Sequence, residues 1–205
     1  REKRASVSAL LGGVYSDPYE YPFNLGLSVK WALAELRAVE LSYFMTSSST
    51  SDVINYYVGR FAAMVDHNRL GGYLGANYMF YAIQSKWDVL GKKVLPVDVA
   101  LSPGLGINFL RSYAFSTPTG SGYTSVPTVN QIAPTLAADI NIFIYITERW
   151  AARIDFKNRF YPETVYASDT GLSVRNKITY YNALMVGVSY SCKQSEGKFK
   201  FKDCF

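Results

Sequence analysis

The sequence predicts an all-β fold: an eight-stranded antiparallel transmembrane β-barrel with short periplasmic turns, long external loops and one loop helix at about residues 52–66. Three observations carry this expectation. One run of alternating residues is too long for an ordinary soluble strand, the connections between extended segments alternate short and long, and Trp and Tyr sort to opposite ends of those segments. The run is Phe23–Leu33, where Phe23, Leu25, Leu27, Val29, Trp31 and Leu33 are large and apolar. Between them lie Asn24, Gly26, Ser28, Lys30 and Ala32. A period of two is a strand whose faces meet different media. Soluble strands usually last about five or six residues, whereas a tilted strand crossing a bilayer needs about 9–11.

Composition agrees. The chain has 205 residues, 49% hydrophobic and 16% aromatic, including 17 Tyr and 12 Phe against a single His. Aromatic enrichment favours strands. No window approaches 18 consecutive apolar residues, so a transmembrane helix is excluded, while alternating strands average to the near-zero mean hydropathy seen here. The formal net charge of +5 comes from the termini, Arg1-Glu2-Lys3-Arg4 and Lys198-Phe199-Lys200-Phe201-Lys202, and no nucleic-acid recognition motif accompanies it. No signal peptide is visible, and the start at Arg1 leaves open that one was removed. Only Cys192 and Cys204 are present. Pairing would close a short loop on the tail and fit an oxidising compartment such as the periplasm; free thiols are the alternative.

In chain order, the first strand runs from about Arg4 to Val14, and Ser16–Pro22 is a loop marked by two prolines. The Phe23 strand turns near Ala34-Glu35 into a third strand, Arg37–Met45. Thr46–Ser51 reads as a polar loop. Val53, Ile54, Tyr57, Val58, Phe61 and Val65 then recur at three and four residues, an amphipathic helix capped by Ser51 or Asp52 and ended before Gly71-Gly72. Its expected place is over the mouth of the sheet, with a partner or lipid surface as the rival. A fourth strand spans about Asn77–Trp87, a turn covers Asp88–Lys93, and a fifth strand covers Val94–Phe109 with small residues on one face. Arg111–Gln131 reads as a loop. The sixth strand runs from about Leu136 to Ile146, Thr147–Arg149 turns, and the seventh begins at Trp150 and carries alternation to Lys157. Tyr161–Asn176 reads as a loop before the eighth strand, Lys177–Ser191. Residues 1–191 thus form the barrel and residues 192–205 a periplasmic C-terminal tail.

Eight strands with short connections after the second, fourth and sixth match the asymmetry of outer-membrane barrels and place the chain in the bacterial outer membrane. Trp31, Trp87 and Trp150 fall beside the short turns, and Tyr15, Tyr21, Tyr43, Tyr161 and Tyr180 at the other ends. Two aromatic rims are what a headgroup-level girdle requires.

The stretch Tyr81-Ala82-Ile83-Gln84-Ser85-Lys86, followed by Pro96–Gly106, resembles the outer-membrane β-barrel family of myxobacteria and related predatory bacteria. The residues that carry the resemblance are Lys86, Asp98, Gly104 and Gly106. It implies a porin-like barrel that assembles as a homo-oligomer enclosing membrane lipid. The tail after Cys192 departs from the family pattern, because Phe205 lies well beyond the last strand.

The charged residues expected inside are Lys30, Glu40, Asp98, Asp139, Arg153, Asp155 and Lys157. Side chains just fill an eight-stranded interior, and charges there must pair. Two outcomes are open: a closed polar plug, or a narrow gated pore. The sole histidine, in Asp66-His67, is the only candidate base for a barrel enzyme acting on lipid or peptide, and no nucleophile site accompanies it. The expected function is therefore a non-enzymatic structural or porin-like barrel with no metal and no cofactor. A soluble lipocalin-like binder is disfavoured by the apolar outward positions.

Overall fold

A computed structural model describes residues 5–17, 19–53, 56, 60, 68–89, 91, 93–112, 117–119, 122–124, 129–166 and 172–192. Eight antiparallel strands close into a ring: β1 (Ala5–Val14), β2 (Glu20–Ala34), β3 (Arg37–Thr50), β4 (Asn68–Val89), β5 (Lys93–Ser112), β8 (Asn130–Tyr145), β9 (Trp150–Tyr166) and β10 (Ser173–Ser191). Each pairs with its sequence neighbour, and β1 closes on β10 from Ser6↔Ser191 to Val14↔Ala183. The remaining strands, β6 (Thr117–Thr119) and β7 (Gly122–Thr124), form a separate small hairpin in the β5–β8 connection.

Alternation sets the two faces as expected. In β2 the residues Phe23, Leu25, Leu27 and Leu33 are exposed, while Asn24, Ser28 and Lys30 are buried inside. In β8 Ile140 faces out and Asp139, Asn141 and Phe143 face in. The exterior is a continuous apolar coat, including Leu11, Leu41, Leu101, Leu105, Leu136, Leu184, Val186 and Val188. So much exposed apolar surface on a closed barrel is a lipid-facing belt.

Two aromatic pairs on β9 and β10 mark the height of that belt. Trp150 and Tyr190 stand 4.8 Å apart between ring centroids at the turn end, and Phe160 and Tyr180 stand 4.7 Å apart at the loop end. Ten residue steps separate Tyr180 from Tyr190; at about 3.3 Å per step and a tilt of about 40°, they span about 25 Å. That is the height of the apolar band of an outer-membrane barrel. Val186 lies near the middle of this span on the outward face. Val186→Arg is expected to destabilise the barrel by about 2–4 kcal/mol, read from urea unfolding in lipid vesicles, against about 1 kcal/mol or less for arginine at the level of Tyr180.

The strands outrun the sequence expectation at the loop end. Thr46–Thr50 continues β3, with Phe23 paired to Ser47 and Tyr21 to Ser49. β4 begins at Asn68, so Gly71 and Gly72 lie within a strand rather than beyond a helix end. β8 starts at Asn130, β9 runs on to Tyr166 and β10 starts at Ser173. Beyond the bilayer both faces meet water and hydropathy contrast fades, but the backbone ladder continues. At the turn end, β4 pairs with β3 only as far as Phe80↔Arg37 and β5 with β8 only as far as Val97↔Ile144. The tip of the β4–β5 hairpin, from Lys86↔Pro96 to Val89↔Lys93, therefore extends past both neighbours as a two-stranded ribbon. Gly91 lies in its turn with φ of 66°, a conformation that suits glycine.

Of the helix expected at 52–66, the described residues Asp52, Val53, Tyr56 and Arg60 are helical, and the rest lies outside the described residues. Asp66, His67 and residues 193–205 of the expected 192–205 tail also lie outside them. Cys192, hydrogen-bonded through its amide to the Ala5 carbonyl, is in a disulfide. Cys204, the only other cysteine of the chain, is outside the described residues.

Candidate functional site: the charged lumen

Every second residue of β9 points into the barrel, so Arg153, Asp155, Lys157 and Arg159 rise up the lumen as a ladder of alternating side chains. Facing them are Glu40 from β3 and Asp139 and Asn141 from β8, all buried. Arg153 grips Glu40 with two parallel hydrogen bonds, Nη1 to Oε2 at 2.6 Å and Nη2 to Oε1 at 2.9 Å. Its Nε donates to Asp155 Oδ1 at 2.7 Å, Nη1 is shared among Glu40 and the Ser8 and Ser28 hydroxyls, and Nη2 also donates to Asn141 Oδ1. One guanidinium therefore ties its own strand to β1, β2, β3 and β8. Arginine suits this position because its planar fork carries five donors and stays charged.

Lys157 lies one step up. Its Nζ is 3.1 Å from Asp139 Oδ2, 2.9 Å from Asp155 Oδ2 and 3.8 Å from Glu40 Oε1. The Asp155 approach is a charge contact without hydrogen-bond alignment. Arg159 forms a fork onto Asp139, with Nη2 to Oδ2 at 3.0 Å and Nη1 on Oδ1. Asn77 of β4 donates to the same carboxylate at 2.9 Å. Lys30, nearer the turn end, donates to the Tyr81 hydroxyl at 2.9 Å and stands 4.0 Å above the Phe143 ring. Among the described residues, the deep lumen holds Lys30, Arg153, Lys157 and Arg159 against Glu40, Asp98, Asp139 and Asp155, a balance of four cations and four carboxylates.

Aromatic layers close this charged stack at both ends. Toward the turns, Phe143 lies 5.0 Å from the Arg153 guanidinium, within a cluster with Ala38, Met79, Tyr81 and Ala100. Toward the loops, Arg159 stands 4.3 Å over Tyr73 and Lys157 5.3 Å over Phe44. Both rings pack with Leu10, Leu110, Tyr181 and Met185. Cations sandwiched by ring faces and paired with carboxylates are well compensated for burial. Above this layer Arg69 pairs with Glu20, and Lys177 with Glu163 at 2.8 Å. The void among the Phe44, Tyr73, Lys157 and Arg159 side chains is about 10 Å³, room for at most one water.

The structure brings together most of the charges singled out in the sequence. Glu40, Asp139, Arg153, Asp155 and Lys157 form one connected network, and Lys30 stands below it on Tyr81 and Phe143. Asp98 is buried in the lumen wall and has a partner of its own. Arg159 was not legible as a member, because alternation in β9 is followed only to Lys157 in the sequence; continuing the same parity two residues finds it.

Of the aromatic rim residues, Trp31, Trp87, Trp150, Tyr15, Tyr21, Tyr43 and Tyr180 are exposed on the outer surface. Tyr161 is a correction: it is buried inside the barrel with Tyr181 and Leu10, not on the rim. β9 continues through it, so its odd number places it on the lumen face, and its neighbour Phe160 takes the rim position. Tyr190, which completes the lower pair with Trp150, is the other rim residue missing from the sequence expectation.

A closed eight-stranded barrel with a lipid-facing belt, aromatic rims and a charged, filled interior defines an outer-membrane β-barrel protein. Its place is the bacterial outer membrane. Among solved structures, the chain is similar to the Neisserial surface protein A, at 12% identity and a TM-score of 0.52, covering 91% of this chain and 96% of that one. It is also similar to the N-terminal β-barrel domain of Pseudomonas aeruginosa OprF, at 11% identity and a TM-score of 0.51, covering 93% and 98%. At these identities the likeness is one of fold. No family model matches the chain, and no curated protein matches it.

Proposed function

We propose that this protein is a non-enzymatic structural barrel whose lumen is sealed by the Arg153–Glu40–Asp139 network. The observation that carries this reading is the charged stack across the middle of the lumen, an ion-pair network with aromatic layers at both ends, where the space among Phe44, Tyr73, Lys157 and Arg159 is only about 10 Å³. A gated pore would have to break several mutually satisfied charge pairs at once, each costly to leave unpaired. The barrel then serves to hold its outer strand extensions and loops above the membrane. In planar lipid bilayers the purified protein is expected to leave conductance at baseline under applied voltage. Reproducible unitary openings would overturn the sealed-lumen reading in favour of the pore.

The proposal extends to kinship with the barrels of myxobacteria and related predatory bacteria, and to a homo-oligomer that holds membrane lipid against its apolar exterior. Lys86, Asp98, Gly104 and Gly106 support the kinship. The two glycines also have a packing role: a Cβ at Gly104 would meet Asn77 Oδ1 at 2.0 Å, and one at Gly106 the Tyr73 ring at 2.5 Å. Small outward residues among the larger ones, Ala9, Ala76 and Ala138, leave shallow places where barrels or lipid can nest. Native mass spectrometry from mild detergent is expected to show multimers carrying lipid, and a lipid-free monomer under the same conditions would remove this part of the proposal.

A further inference from the structure

Below the plug, at the turn end, the barrel opens into a blind vestibule of about 420 Å³, within the range of small-molecule sites. We propose that this vestibule binds short basic peptides that enter carboxyl end first, with the free C-terminal carboxylate on Lys30 and Ser6 and the cationic end between Glu35 and Glu148. The floor supplies unused donors. Lys30, 8% exposed, makes one hydrogen bond, to Tyr81, and an ammonium carries three donors. The Ser6 hydroxyl, in a residue only 2% exposed, has no partner although it lines the cavity. A buried donor left unmade is costly, and a carboxylate is the acceptor that answers a lysine best.

The mouth has the opposite sign. Glu35 and Glu148 line it from the β2–β3 and β8–β9 turns, both exposed. Asp98 adds a third carboxylate to the wall and is engaged with a partner of its own. With Lys30 as the only cation among the described lining residues, the vestibule attracts positive charge at its entrance and offers donors at its base. Leu95 and Pro96 supply an apolar wall between the two. A single negative ion satisfies only the floor and a simple amine only the rim, whereas a basic peptide with a free carboxyl end satisfies both. The site lies outside the sealed stack and stands whether or not the barrel conducts.

The test is titration of the whole barrel in detergent micelles with the tripeptide Lys-Ala-Ala, followed by amide chemical shifts. Saturable shifts confined to the vestibule, around Ser6, Lys30 and Glu148, are expected. The C-terminal amide of the same peptide is expected to bind roughly tenfold or more weakly, as loss of a charged hydrogen-bond partner implies. The double variant Glu35→Gln/Glu148→Gln changes only exposed turn residues, so folding is retained, and it is expected to weaken the free acid several-fold. Lys30→Met, if it folds, is expected to abolish the difference between acid and amide. Absence of saturable shifts, equal binding of acid and amide, or unchanged affinity in the rim variant would each overturn the proposal.

Discussion

Arg153→Met is expected to destabilise the barrel by about 3–5 kcal/mol, the range for breaking one side of a buried ion pair. The methionine fills much of the volume but leaves Glu40 and Asp155 without their strongest partner. Lys157 is left to answer both, from 3.8 Å and 2.9 Å, while it already serves Asp139. Ser8, Ser28 and Asn141 lose a common donor in the same step. Urea unfolding in lipid vesicles, followed by tryptophan fluorescence, reads the loss. A paired variant, Arg153→Met with Glu40→Gln, is expected to recover a large part of it, because the carboxylate left stranded by the single change is neutralised. Simple additivity of the two single effects would show that they act separately and that the network does not behave as a unit.

Gly187→Val is expected to prevent closure of the barrel. At the β1–β10 seam a Cβ on Gly187 would lie 2.0 Å from the Ala9 carbonyl oxygen, and one on Gly12 2.0 Å from that of Leu184. Both obstacles are backbone atoms held by the closing ladder, so neither can swing aside as a side chain would. The cost is expected at about 3 kcal/mol, the upper end for overpacking, and it falls on the one pairing that no hairpin turn assists. The readout is the gel mobility difference between boiled and unboiled samples, which should be lost or sharply reduced. Gly13→Ala is the matched control: its nearest contact would be 3.9 Å, to the Pro22 carbonyl, so closure should be unaffected. A normal mobility shift in Gly187→Val would show that the seam adjusts.

The lumen network also accounts for why its parts were unequally legible. Lys30, Glu40, Asp139, Arg153, Asp155 and Lys157 could be read from the sequence as inward because each interrupts an apolar alternation, and lipid on one side enforces that contrast. Nothing in the sequence says which carboxylate meets which cation. Those partners come from strands far apart in the chain, as with Glu40 and Arg153, and are set by the order and stagger of the closed ring. The aromatic layers over the charges were hidden for the same reason. Phe44, Tyr73 and Phe143 are inward by parity, yet only the ring of strands stacks them onto Arg159, Lys157, Arg153 and Lys30.

The class of fold, the facing of the membrane-crossing strands other than β4, where Tyr78–Ile83 is apolar on both faces, and the end at which the short turns lie can all be read from local pattern. A period of two is local, and the bilayer makes it visible wherever one face meets lipid. How far the strands run past the membrane cannot be read that way, because residues such as Ser47 and Ser49 carry no hydropathy contrast once both faces are wet. The closed ring alone sets that Arg159 pairs with Asp139, that Tyr161 packs against Tyr181 and Leu10, and that the charges and rings fill the lumen down to a blind vestibule. Those outcomes depend on closure of β1 onto β10, a pairing of the two ends of the barrel that no local pattern encodes.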